Sequence, residues 1–124
     1  MRILLDTQVF LWWARDDPQL PASARDAIRA APEAFVSIVT AWEIAIKRAI
    51  GKLDMLPLSA ELLDSHGFTL VPVTLEHAAL SSELPLHHRD PFGRMLIAQA
   101  RHEGLTLVTH DRRLFAYPIP IVRA

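Results

Sequence analysis

RILLDTQVFLWWARDD, residues 2 to 17, holds two patterns with no linker between them. Arg2 to Asp6 is a short apolar run ending in an acid, the pattern of a buried strand. From Thr7 the chain reads as a helix, broken after Asp17 by Pro18 and Pro21. The same alternation continues along the chain. PASARDAIRAA (21–31) is a helix with proline near its start, and AFVS (34–37) is a short strand. VTAWEIAIKRAIGKL (39–53) is a helix ending around Gly51, and LSAELLDSHG (58–67) is another, stopped by Gly67. FTLVPV (68–73) is a strand weakened by Pro72. TLEHAALSSEL (74–84) is a helix capped by Thr74, and PFGRMLIAQARHEG (91–104) is a helix with Gly104 placed to end it. LTLVT (105–109) is a β-branched strand, and IPIV (119–122) is a last strand placed at an edge by its prolines. Strands alternating with helices predict an α/β domain with a mostly parallel sheet.

Composition bounds the rest. The chain has 124 residues, the size of one domain spanning 1–124, and 51% are apolar. Charged residues make up 22%, too ordinary a composition for a disordered tail, and the net charge is −1. An anionic substrate would need a local basic patch or metal ions rather than bulk charge. There are no cysteines, which excludes disulfides, zinc thiolates and cysteine nucleophiles. MRILLDTQVFLWW faintly resembles a signal peptide, but Asp6 and Gln8 interrupt it and no small-residue cleavage site follows. No stretch approaches the roughly 18 apolar residues of a membrane span. The expectation is a cytoplasmic chain with no membrane partner. It shows no repeat, linker, glycine-rich phosphate loop or nucleophile elbow.

The acids fall where strands end. Asp6 closes the first strand and Asp111 follows LTLVT, and ligands of open parallel sheets bind outside the carboxyl ends of the strands. Either acid could equally be a helix N-cap. Glu43 sits at the edge of an apolar arc formed by Val39, Trp42, Ala45, Ile46, Ala49, Ile50 and Leu53, with Ile44 outside it. Its alternative is an i,i+4 pair with Lys47. Asp90 and Pro91 form a standard helix start, which makes Gly93 the third helical residue. Acids are favoured in that first turn by the partial positive charge of the free N–H groups, and glycine is disfavoured. The histidines are scattered, with no His-x-x-x-His spacing, so a histidine metal site is not expected. Basic residues neighbour each acid: Lys47, Arg48 and Lys52 after Glu43, Arg94 after Gly93, and Arg112 and Arg113 after Asp111. Lys47, Arg94 and Arg112 are candidate phosphate contacts, each with a solvated helix face as the alternative.

Four stretches, LLDTQVFLWW (4–13), SIVTAWEIAIKRAIGKL (37–53), HHRDPFGRMLIAQA (87–100) and LTLVTHDRRLFAYPIPIV (105–122), together resemble the PIN-domain ribonucleases, and within them the VapC-type toxins of toxin–antitoxin pairs. They occur in the family's order and cover nearly the whole chain. The resemblance implies a three-layer α/β/α PIN-like fold and an Mg²⁺- or Mn²⁺-dependent endoribonuclease. It also implies a homodimer and a VapB-type antitoxin that wraps the toxin and blocks the site. It assigns the metal-binding carboxylates to Asp6, Glu43 and Asp111, with Thr7 and Thr109 as small polar neighbours and Asp90 as a more peripheral acid. The family's remaining acid lies in Asp-Pro-Phe-Asp-Arg, where this chain reads Asp90-Pro91-Phe92-Gly93-Arg94. Gly93 therefore stands on a ligand position. Three explanations stand: an inactivating substitution, natural or introduced; a weakened enzyme in which Asp90 partly substitutes; or a non-catalytic module binding RNA or antitoxin. Ile44 and the Trp12-Trp13 pair are candidates for the partner groove. A phosphoacceptor receiver domain, another α/β fold with acids at a strand end, lacks here the lysine after the last core strand and the acceptor Asp on a middle strand.

Overall fold

The computed structural model describes residues 1–124. In chain order the elements are β1 (Arg2–Leu5), α1 (Thr7–Ala14), α2 (Ala22–Ala30), β2 (Glu33–Ser37), α3 (Ile38–Ala49), α4 (Ala60–Ser65), β3 (Phe68–Val71), α5 (Leu75–Glu83), α6 (Pro91–Glu103), β4 (Thr106–Thr109), a 3₁₀ turn (Arg112–Ala116) and β5 (Ile121–Arg123). The strands form one sheet in the order β3-β2-β1-β4-β5, and every neighbouring pair is parallel. From β1 the chain steps outward through β2 to β3, then returns to the other side of β1 for β4 and β5. The topological switch point thus lies between β1 and β4, where α/β folds bind their ligands.

Alternation along the strands explains the three layers. Ile3 and Leu5 point to one face with Val36 and Val108, against Phe10, Trp12 and Ile28 from α1 and α2. Leu4 and Leu107 point to the other, against Leu96, Ile97 and Ala100 from α6. Both faces are covered, so the strands read as continuous apolar runs. The edges fall where proline required them. β5, preceded by Pro118 and Pro120, and β3, ended by Pro72, are the outer strands. Gly104 ends α6 with φ +68°, a conformation that L side chains rarely adopt.

The burial of α3 departs from the apolar arc expected of it, of which only Val39 is buried within the helix. Val39, Thr40 and Ile44 are the buried positions, and Ile44 is only 1% exposed in the core. Trp42, at 61%, and Ile50, at 60%, stand in solvent beside the partly exposed Ile38 and Ile46. The helix is apolar on two sides, and the more apolar side faces outward. Ile44 therefore cannot line a partner groove. Trp12 is also buried, and Trp13 is half-buried against Phe68 and Arg29.

Candidate active site

Asp6 follows the last residue of β1, and its neighbours fix it tightly. Its Oδ1 accepts the N–H of Val9, 2.8 Å away, which caps α1. Its Oδ2 accepts the hydroxyl of Thr109 from the end of β4. That hydroxyl also accepts the Asp111 N–H at 3.0 Å. One threonine on β4 thus ties both strand-end acids together across the switch point. Burial pushes the Asp6 carboxyl up to about 6, against the bonds from Thr109, Val9 and His110, and the Asp111 charge adds to the rise.

Asp111 caps the 3₁₀ turn through the Arg113 N–H, 3.0 Å from Oδ1. Its Oδ2 lies 2.7 Å from His88 Nε2. The Asp90 N–H donates to His88 Nδ1 at 3.1 Å, which leaves the imidazole hydrogen on Nε2, aimed at Asp111. Burial would raise the Asp111 carboxyl, but the Arg113 N–H, the His88 bond and the nearby cations bring it below the ordinary range. His88 is buried, and nothing in the adjacent pair His87-His88 distinguished it in the sequence.

Glu43 satisfies both of its readings at once. Oε2 pairs with Lys47 Nζ at 2.9 Å, the i,i+4 pair, while Oε1 accepts the Thr7 hydroxyl at 2.9 Å. Thr7 in turn touches Thr40, 3.0 Å away. Lys47 is therefore partly spent on Glu43. Asp90 caps α6 through the Phe92 N–H, 3.0 Å from Oδ1.

Asp6, Glu43, Asp90, Gly93 and Asp111 all line one crevice of about 370 Å³, with Arg112 and Arg113 on its wall. Gly93 is in the first turn of α6, in ordinary helical backbone, so no left-handed φ demands glycine there. Space is the tighter constraint. A Cβ on Gly93 would stand 3.2 Å from Leu114 Cδ2 and 3.6 Å from His88 Cδ2.

Arg94 departs from its expected role. Its guanidinium donates to the carbonyls of Ser81 at 2.7 Å, Leu84 at 3.0 Å and Pro85 at 3.0 Å. It also reaches Tyr117 Oη at 3.3 Å. It clamps the segment between α5 and α6 and does not line the crevice. A forked side chain beside unpaired helix-end carbonyls is drawn to them rather than to solvent.

The crevice carboxylates suit a hard divalent cation: their donors are oxygens, and Asp6 is buried with its carboxyl raised chiefly by that burial, a cost that a bound cation would relieve. The carboxylates face the cavity without converging. The one trio of acidic or histidine side chains whose ligand atoms lie within 4.8 Å of one another is His77, His102 and Glu103. The sequence did not foresee this gathering, which brings α5 beside the C-terminal end of α6. Its tautomer opposes metal binding. The Thr74 N–H donates to His77 Nδ1 at 3.1 Å, so the hydrogen sits on Nε2 and points at Glu103 Oε1, 2.8 Å away. A ligating Nε2 would need that lone pair free and a hydrogen on Nδ1. His77 closes a capping box with Thr74 instead.

Comparisons with known proteins bear on the family and the fold. The sequence model of the PIN domain matches residues 3–119. The chain is 34% identical to Ribonuclease VapC22 of Mycobacterium tuberculosis (strain ATCC 25618 / H37Rv) over 125 aligned positions, covering 95% of this chain and 93% of that protein. Its fold is similar to a chain of VapBC2 from Rickettsia felis bound to a promoter DNA fragment, with TM-score 0.71, 14% identity and coverage of 99% and 98%. It is also similar to a chain of a toxin–antitoxin complex from Klebsiella pneumoniae, with TM-score 0.68, 18% identity and coverage of 97% and 95%.

Proposed function

Because the chain belongs to the PIN domain family, and within it to the VapC ribonucleases, we propose that it is the toxin of a type II toxin–antitoxin pair. In this reading it is a metal-dependent endoribonuclease weakened by Gly93. The observation that carries this is the meeting of Asp6, Glu43 and Asp111 with Gly93 in one crevice at the switch point. Asp6, Glu43 and Asp111 would hold Mg²⁺ or Mn²⁺, with Asp90 at the periphery. The bound ion supplies a water of lowered pKa and stabilises charge on the phosphodiester. The chain's own part is to hold the acids still: Thr109 for Asp6, Thr7 and Lys47 for Glu43, and His88 for Asp111. Arg112, on the wall, is the candidate phosphate contact, and Lys47, outside the lining, adds charge through its pair with Glu43.

RNA cleavage assayed with Mn²⁺, before and after Gly93→Asp, tests this reading. The expected result is weak cleavage that rises on substitution. Cleavage absent from both forms would overturn it in favour of a non-catalytic module that binds RNA or antitoxin. The contact of Leu114 with the space a side chain at 93 would need favours that second reading.

The partners follow from the same family. A VapB-type antitoxin is the proposed inhibitor. The exposed face of α3 supports a homodimer: Ile38, Trp42, Val73, Phe92 and Met95 line an apolar groove of about 390 Å³ between α3 and α6. Trp42 and Phe92 meet edge to face at 5.1 Å within it. No helix is long and apolar enough to cross a membrane. The cytoplasm is the proposed location.

A further inference from the structure

Beside the acidic crevice lies a second hollow of about 410 Å³, which shares His110 and Arg112 with it and is completed by Phe115, Arg123 and Ala124. Arg123, on the edge strand β5, lays its guanidinium carbon 4.7 Å from the centre of the Phe115 ring. His110 Nδ1 lies 2.6 Å from the Ala124 main-chain oxygen, so two of the lining residues are joined to each other. Neither Arg112 nor Arg123 is paired with a carboxylate, although Arg113 next door is spent on Asp111. Two unpaired cations and an arginine-on-aromatic layer therefore border a pocket of acids. Those cations cannot serve a metal, which they would repel. They suit a polyanion, because a crevice lined by carboxylates repels phosphates unless cations stand on its flank. The layer adds a flat surface on which a nucleobase of any identity stacks.

We propose that this hollow is a nucleotide subsite for single-stranded RNA. Arg112 takes a backbone phosphate next to the one entering the crevice, and the adjoining base stacks on the Arg123–Phe115 layer. The subsite rests on the RNA-cleaving reading above. The rival occupant is an antitoxin segment adding to the free edge of β5. The unpaired cations and the aromatic layer favour RNA, since strand addition needs only main-chain partners.

The test is fluorescence anisotropy with a labelled single-stranded RNA in EDTA, where metal-dependent cleavage is silent. Arg123→Ala and Phe115→Leu should each weaken binding about 5- to 150-fold, the span of one stacked base. Phe115→Trp, which keeps the ring, should retain binding. Arg112→Ala should flatten the dependence of log affinity on log salt by about 0.7, the share of one phosphate on a single strand. Arg123 is exposed, so its variant carries the test if Phe115→Leu fails to fold. Wild-type protein that binds RNA while all the variants match it would overturn the subsite and leave the RNA reading standing. Variants that keep RNA but lose the antitoxin would assign the hollow to the peptide and overturn the subsite equally. Wild-type protein that neither binds nor cleaves RNA would overturn the RNA reading itself.

Discussion

His88 Nε2 lies 2.7 Å from Asp111 Oδ2, and the same imidazole accepts the Asp90 N–H through Nδ1. One ring thus couples the start of α6 to the acid after β4. Because both nitrogens are used, the tautomer is fixed and Asp111 is held in one orientation. His88→Ala should cost about 1–3 kcal/mol of stability, since a buried network loses its centre. It should also weaken Mn²⁺ binding roughly 10- to 100-fold. Denaturant unfolding and calorimetric titration measure the two effects, and unchanged Mn²⁺ affinity would remove His88 from the site.

Gly93→Asp should raise Mn²⁺ affinity, yet leave the metal-free protein no more stable. The new Cβ would stand 3.2 Å from Leu114 Cδ2, and the new charge would join Asp6 and Asp111. Gly93→Asp combined with Leu114→Val should show a favourable coupling of about 0.5–1 kcal/mol relative to the sum of the single changes, because the pair is in contact. Strict additivity in the unfolding free energies would show that crowding is not the constraint.

The Asp6 carboxyl, at about 6, sets a pH signature. Between its unfolded value near 4 and about 6 the native state binds the extra proton. Its contribution to stability is complete below about pH 4 and is lost as pH rises through 6, a fall of about 3 kcal/mol. Asp6→Asn should flatten that fall. Mn²⁺ needs the ionised carboxylate, so the rise in melting temperature on adding Mn²⁺ should be small below pH 6 and grow above it. A metal-induced shift independent of pH across this range would exclude Asp6 as a ligand.

Arg94→Ala should cost at least about 2 kcal/mol, because several carbonyls around Ser81, Leu84 and Pro85 lose their donor. Arg94→Lys should recover little, since an ammonium cannot span the fork. The salt dependence of RNA binding should not change. A flatter salt dependence would return Arg94 to the list of phosphate contacts.

Trp42→Glu should convert a dimer into a monomer in sedimentation and remove the dependence of the unfolding temperature on protein concentration, because the side chain is 61% exposed in the single chain and its loss disturbs the interface rather than the core. A wild-type protein that sediments as a monomer would remove the dimer face.

The strands and most helix ends were legible because each carries a local signal. Asp6, Ser37, Thr74 and Asp90 accept helix N–H groups, and Gly104 takes the left-handed turn. Asp6 and Asp111 were legible as strand-end residues, and the parallel order brings those two strand ends side by side. α3 was misread because a wheel ranks faces by apolarity, whereas burial depends on which face meets the sheet. Ile44, isolated on the wheel, is the residue in the core. Arg94 points elsewhere because adjacency in sequence to a crevice residue says nothing about the direction of a side chain. His88 and the meeting of His77 with Glu103 are tertiary facts: partners 23 and 26 residues away leave no local trace.

Asp6 and Asp111 hang from β1 and β4, neighbouring strands at the middle of the sheet, whereas position 93 hangs from a helix laid outside it. The two halves of the crevice therefore differ in how separable they are from the fold. The strand-end half is tied into the fold by the hydrogen bonds around Thr109, which join the ends of the two central strands. Position 93, on a helix, takes part in no strand pairing, so a change there leaves every one of them in place. A change at position 93 can thus reshape one wall of the crevice while the sheet that carries Asp6 and Asp111 is inherited whole.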